Sequence, residues 1–175
     1  MRRQRIIIVG GGFGGVKCAK VLSRELSPSE VEVVLFNREN HLVFSPLLAE
    51  AVGSSINPLD AVVPLRQLLP RVFCRTEEVK GIDLGRHEVE YETEECQLCR
   101  MAYDQLVLAC GSAANLHVVP GMADYAFPLK NIADAIALRS HIMEEMEKAE
   151  VCSNRELRRR HLTFIVVGGG FTGAE

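Results

Sequence analysis

The chain has 175 residues, 47% of them apolar and 25% charged, and carries a net charge of −3. These near-average fractions indicate a globular protein long enough to build its own core, and the mild acidity leaves no nucleic-acid footprint. No apolar run approaches the ~20 residues that span a bilayer, and the basic start (Arg2, Arg3, Arg5) precedes too short an apolar run for a secretory signal, so a mature cytoplasmic N-terminus is expected.

Ile6 to Val9 is an apolar run without alternation, as in a strand buried on both faces of a parallel sheet. Gly10, Gly12 and Gly15 follow at the G-x-G-x-x-G spacing. Gly10 allows a tight turn, Gly12 lets a pyrophosphate reach the backbone, and Gly15 permits close packing of helix on strand. A helix from Phe13 to about Arg24, with Val16, Ala19 and Leu22 inward, aims its N–H groups and positive dipole end at that phosphate. Val31 to Phe36 is a second strand, so strand, helix and strand fit the ~30 residues of a βαβ unit, and the stretch reads as a dinucleotide site. Asn37, 22 residues after Gly15, stands where an acid would bind a ribose 2′-OH, and Arg38 beside it leaves room for a phosphate, so NADP is compatible with this first loop.

The segment from Asn37 to Pro58 is polar at its ends, with Leu42, Val43, Phe44, Leu47 and Leu48 in its middle, and can either cover a cofactor or cap a core, the commoner outcome. Asp60 to Leu69 reads as a helix shortened by Pro64, and Val72 to Cys74 as a third parallel strand. Glu78 to Leu84 and His87 to Glu92 look like antiparallel strands joined at Gly85 and Arg86, with Cys96 to Met101 as a third. Gln105 to Ala109 is another buried strand, ending in a small-residue turn at Cys110 and Gly111.

Asn131 to Ala149 is the clearest helix, with Asn131 as N-cap, Asp134 in the first turn, and Ile132, Ala135, Ile136, Ile142, Met143 and Met146 along one face. Arg155, Arg158, Arg159 and Arg160 mark a solvated linker. The six cysteines show no framework spacing and most should be buried thiols; Cys96 and Cys99 form a CxxC open to a redox-pair or half-zinc-site reading, but it has no second ligand pair nearby and does not open a helix after a strand, so no metal is expected.

Thr163 to Glu175 repeats the opening motif at an offset of 158 residues, with Gly168, Gly170 and Gly173 at the same spacing. Two fingerprints behind matching apolar runs imply two dinucleotide sites. The expected architecture is α/β. Residues 1–150 form a Rossmann-like domain, a parallel sheet with helices and an inserted antiparallel ribbon; 151–161 form a linker; and 162–175 supply the first strand and glycine loop of a second, incomplete Rossmann domain.

On these residues the chain resembles the N-terminal part of a flavoprotein with two dinucleotide-binding domains, most closely a type II NADH dehydrogenase (NADH:quinone oxidoreductase). The resemblance covers essentially the whole chain and rests on VGGGFGG, NHLVFSPLL, YDQLVLACGS, LKNIADAIALR and FIVVGGGFTGAE. It implies that the first loop holds FAD, that the second holds NADH or NADPH against the flavin, and that electrons pass to a quinone. It also implies FAD contacts at Gly10, Gly12, Phe13, Gly14, Gly15 and Gly111, adenosine ribose contacts at Asn37 and Arg38, and an adenine contact through the Val79 backbone. Gly168, Gly170 and Gly173 would face the nicotinamide dinucleotide, and Glu175 matches a catalytic glutamate on the nicotinamide and quinone side. A homodimer, and attachment to the inner face of a membrane in a longer homologue, are further implications of the resemblance.

Three residues depart from the family pattern: Asn37 for an acid, Cys110 for threonine, and Ser45 for glutamine before Pro46. The competing readings are a sulfide:quinone reductase, though Val167 to Glu175 holds no cysteine, a ferredoxin-reductase-like protein, and a non-catalytic truncated remnant that at most binds a nucleotide and would be inactive alone.

Overall fold

The structure is a computed structural model and describes residues 3–174. The chain runs through β1 (Gln4–Val9), α1 (Phe13–Glu25), β2 (Val31–Phe36), β3 (His41–Val43), a 3-10 turn at Ser45–Leu47, α2 (Leu48–Val52) and a second 3-10 turn at Pro58–Ala61. There follow β4 (Val62–Pro64), α3 (Leu65–Leu68), β5 (Phe73–Arg75), β6 (Glu78–Asp83), β7 (Glu88–Glu92), β8 (Leu98–Ala102) and β9 (Gln105–Leu108). The chain continues as α4 (Met122–Tyr125), α5 (Ile132–Val151), α6 (Arg155–His161) and α7 (Phe171–Ala174). It divides into two compact units: residues up to Leu42 with Val63–Ser112, and Val43–Val62 with the residues from Ala113 on.

In the first unit β5, β2, β1 and β9 form a parallel sheet in that order. The side-chain period of two sends alternate residues of each strand to opposite faces. Ile8, Val33 and Leu35 meet Val16 and Ala19 of α1 together with Leu65 and Leu69 on one face. Ile7, Val34 and Phe36 meet Val89, Tyr91 and Tyr103 on the other. Both faces are therefore covered, which explains why Ile6 to Val9 of β1 and Val33 to Phe36 of β2 read as unbroken apolar runs. The second cover is the antiparallel sheet β6-β7-β8, so the expected parallel sheet with an inserted antiparallel ribbon is what the chain forms. The β6–β7 turn is closed by Asp83 Oδ1, which accepts the Gly85 and Arg86 N–H groups at 2.9 Å each.

The helix expected over Asp60 to Leu69 is instead a 3-10 turn, the short strand β4 and the single-turn helix α3. Pro64 lacks an N–H donor and pushes Val63 before it toward extended backbone, which breaks the run. Four of the six cysteines are half-buried and Cys96 and Cys110 are exposed, so the expectation of buried thiols is corrected.

In the second unit Leu48 and Ala51 of α2 pack on Ala135 of α5, with Val43, Leu129 and Ile132 around them. A capping box starts α5: Asn131 Oδ1 accepts the Asp134 N–H at 2.9 Å and the Asp134 carboxylate accepts the Asn131 N–H at 3.1 Å. The buried positions of α5 are Ala135 and Ala149, whereas Ile136, Met143 and Met146 of the expected apolar face are about half exposed. Small alanines allow the close approach that the larger side chains would prevent. The arginine-rich segment is helical, α6: Asn154 Oδ1 accepts the Glu156 and Leu157 N–H groups, and His161 Nδ1 lies 2.6 Å from Glu145 of α5. Phe164 to Val167, expected as a strand, pairs with no strand among the described residues and is exposed along its length. No helix among the described residues is long and apolar enough to cross a membrane.

Candidate functional site

In the parallel sheet the chain passes from β1 outward through β2 to β5 and then returns to the other side of β1 at β9. Ligands of open α/β sheets bind at the carboxyl ends beside such a reversal. Gly10 to Gly15 lies there, after β1, and Ala109 to Gly111 lies there, after β9.

The glycines divide by cause. Gly10 has φ +110°, and a Cβ on it would stand 2.1 Å from the Ala109 carbonyl oxygen, so both backbone conformation and the neighbouring chain require glycine. A Cβ on Gly15 would meet the Gly10 carbonyl oxygen at 1.8 Å, which is where helix α1 presses on the turn. Gly12 and Gly14, by contrast, face open space, with nothing within 4 Å of a built Cβ. Gly12 is the N-cap of α1 with ordinary extended backbone (φ −75°, ψ −172°), no side chain caps the helix, and its first turn carries no acid. The structure thus offers a helix N-terminus with clear space in front of it, suited to an anion. Phe13, the first residue of α1, is about half exposed.

Asn37 follows β2 and is built into the loop. Its Oδ1 accepts the Gly11 N–H at 2.8 Å, its Nδ2 donates to the Glu39 carbonyl at 2.8 Å, and its own N–H donates to the Arg75 carbonyl at 2.9 Å. Gly10 donates its N–H to the Phe36 carbonyl at 2.8 Å, so two consecutive glycine N–H groups are held by two consecutive residues at the end of β2. Gly11 was not singled out from the sequence. A Cβ there would stand 2.6 Å from Asn37 Cγ, a constraint no spacing rule contains.

Arg38 is largely exposed, with Glu78 at 3.8 Å, and Glu78 also binds Lys80 at 2.7 Å. Val79 is half-buried in β6 opposite Tyr91, at a bulge in the β6–β7 pairing. Gly111 has φ +69° and open space around it, and the exposed Cys110 thiol before it reaches the Val9 carbonyl at 3.7 Å. Ser45 is exposed at the start of a 3-10 turn in the second unit.

Arg75 and Glu77 also went unnoticed in the sequence. The Glu77 carboxylate accepts from Arg75 Nε at 3.1 and 3.2 Å and from Nη2. That hydrogen bond is the main cause that lowers the Glu77 pKa and raises that of Arg75. No group of metal-ligating side chains exists among the described residues, the CxxC included.

In the second unit the repeated loop has the same internal geometry. Gly168 has φ +125°, and a Cβ on Gly173 would meet the Gly168 carbonyl oxygen at 2.4 Å, whereas Gly169 and Gly170 face open space. Glu175 lies outside the described residues.

Residues 4–175 match the family described as pyridine nucleotide-disulphide oxidoreductase. Among curated proteins, the type II NADH:quinone oxidoreductases Ndh and NdhA of Mycobacterium tuberculosis are 35% and 34% identical to it, each aligned over 99% of this chain. The chain spans 37% and 36% of their respective lengths. Among solved structures, NDH2 from Plasmodium falciparum in complex with NADH superposes with a TM-score of 0.77 at 22% identity, over 91% of this chain and 32% of that one. The sulfide:quinone oxidoreductase of Aquifex aeolicus gives 0.68 at 22% identity, over 82% and 32%. Both likenesses bear on the fold. A parallel sheet with a glycine turn at its point of reversal, and a match that runs from residue 4 to residue 175, place the chain in the pyridine nucleotide-disulphide oxidoreductase family.

Proposed function

We propose that this chain contributes the FAD-binding core, and the first loop of the NAD(P)H-binding part, of an oxidoreductase that passes hydride from NADH or NADPH to FAD and electrons on to a quinone-type acceptor. The observation that carries the reading is the first glycine loop. Gly10 and Gly15 are demanded by the fold, whereas Gly12 and Gly14 are demanded by nothing in the protein, and their open space lies at a helix N-terminus. That is the fit required by a pyrophosphate approaching backbone N–H groups.

In this reading Gly12, Phe13, Gly14 and Gly15 present the α1 N-terminus to the FAD pyrophosphate, Asn37 and Arg38 lie toward its ribose, the Val79 backbone toward its adenine, and Gly111 toward the same cofactor from the β9 side. Gly168, Gly170 and Gly173 receive the nicotinamide dinucleotide, and Glu175 remains the candidate acid on the reacting side. Bound flavin would supply the hydride and electron chemistry, and the chain's own residues supply position and electrostatics. The two Mycobacterium relatives, named for NADH and quinone, favour this acceptor class. A sulfide:quinone reductase reading, with sulfide as the electron donor, has less support, because Val167 to Glu175 contains no cysteine.

The test is titration of the purified chain with FAD by calorimetry and flavin fluorescence, beside Gly12→Val. Saturable binding lost in Gly12→Val, with unchanged circular dichroism, is the expected result. Equal binding by both proteins would remove Gly10 to Gly15 as the site.

A further inference from the structure

We propose that Arg75 is a positioning residue for the first glycine loop: it clamps the ends of β2 and β5 together, and so holds Phe36 and Asn37 where they accept the Gly10 and Gly11 N–H groups. The inference rests on the reading of that loop as a dinucleotide site.

The connection is continuous. The Arg75 carbonyl accepts the Asn37 N–H at 2.9 Å, the Phe36 carbonyl accepts the Gly10 N–H at 2.8 Å, and Asn37 Oδ1 accepts the Gly11 N–H at 2.8 Å. Main-chain hydrogen bonds of this kind end many parallel strands; what differs here is the side chain behind them. The Arg75 guanidinium carbon lies 4.6 Å from the centre of the Tyr91 ring, 5.6 Å from Phe36 and 6.0 Å from Phe73. Phe36 and Tyr91 are themselves 5.1 Å apart. The fork of the same guanidinium is taken up by Glu77, and both side chains are only about one-fifth exposed.

Arg75 therefore ties three elements: its own strand β5, the ring of Phe36 at the end of β2, and Tyr91 of the antiparallel sheet. A charge-assisted fork and stacked aromatic faces fix a long side chain more tightly than apolar contact alone, because each restricts its orientation. The last β2 residue it touches, Phe36, is the one that accepts from Gly10, and the next, Asn37, accepts from Gly11. Loosening Arg75 should loosen these two N–H groups first, while Ile7, Ile8 and Val34 in the centre of the sheet keep their ladder bonds.

The experiment compares the full chain with Arg75→Met, Arg75→Lys and Asn37→Ala. Amide hydrogen exchange by NMR, without any dinucleotide, is read at Gly10 and Gly11 against Ile7, Ile8 and Val34. FAD affinity is read by calorimetry in the Arg75→Met and Asn37→Ala double-mutant cycle. Arg75→Met should speed Gly11 exchange by about tenfold, the scale of one net hydrogen bond, with the sheet centre unchanged. FAD affinity should fall by about the same factor, non-additively with Asn37→Ala, because both act on one hydrogen bond, and Arg75→Lys should recover part of each loss.

Unchanged Gly11 exchange, equal acceleration at Gly11 and Ile7, or additive losses in the cycle would each overturn the proposal. If Arg75→Met does not fold, Glu77→Gln should give the same pattern at smaller size, and a flat response there overturns it too. Wild-type chain that binds no FAD would overturn the dinucleotide reading alone, and the exchange at Gly11 would still decide whether Arg75 holds the loop.

Discussion

Gly15 stands so close to Gly10 that a side chain on it would begin 1.8 Å from the Gly10 carbonyl oxygen, and Gly173 stands toward Gly168 in the same way at 2.4 Å. These are contacts of the protein with itself, so their loss should appear as lost stability. Gly15→Ala must push α1 off the turn or break the turn, and overpacking of this kind costs about 1 to 3 kcal/mol. Gly12→Val meets open space and ordinary backbone, so it should cost no more than the ~1 kcal/mol of a poorer N-cap and remove dinucleotide binding. Thermal melts and FAD titrations of the two variants should differ in this way; a stability loss in Gly12→Val as large as that in Gly15→Ala would contradict the division of roles.

The Asn37 carboxamide donates to the Glu39 carbonyl and accepts from Gly11. Sequence spacing suggests that an acid here would improve a ribose contact, but in Asn37→Asp a carboxylate oxygen would face a carbonyl oxygen with no proton between them. The variant should lose about 0.5 to 1.5 kcal/mol at pH 7, the net worth of one hydrogen bond at a half-buried position. Part of that should return on acidification, when the protonated acid can donate to Glu39. Urea melts at pH 7 and pH 4 test this, and an Asn37→Asp protein as stable as wild type at pH 7 would refute it.

Glu145 joins α5 to α6 through His161 and also holds Lys148 at 2.7 Å. The hydrogen bond from His161, then that from Lys148, lowers its pKa from 4.5 to about 2. The folded pKa lies below the unfolded one, so the stabilisation is complete above pH 4.5 and is lost as the pH falls through about 2. Acid titration followed by the NMR signals of α6 should show its release in that window, and Glu145→Gln should show no such step there.

Asn131 caps α5 reciprocally with Asp134. Asn131→Ala should cost about 0.5 to 2 kcal/mol, and hydrogen exchange should rise first in the opening turn of α5. Exchange that rises equally along Ile132–Val151 would mean that the cap stabilises the whole helix rather than its end.

The sequence by itself determined the local chemistry of this protein. The apolar runs Ile6 to Val9 in β1 and Val33 to Phe36 in β2, the G-x-G-x-x-G after β1 and its repeat at Gly168, and the Asn131–Asp134 pair are short-range signals, fixed by backbone sterics and hydrogen-bonding capacity within a few residues. They gave the α/β class and the glycine turn between β1 and α1. Only the tertiary structure decided which residues the loop leans on. Gly11 against Asn37, Gly10 against Ala109, and Arg75 stacked on Phe36 and Tyr91 join positions far apart in the chain, and no periodicity encodes such approaches. For the same reason the sequence did not show that Arg155–His161 is helical, and it misjudged the buried face of α5. Arginines favour solvent but are also good helix formers, and two alanines rather than the larger apolar residues hold the buried positions of α5. Phe164 to Val167 carries the signal of a buried strand, but a parallel strand exists only through its neighbours, and its propensity alone does not make one.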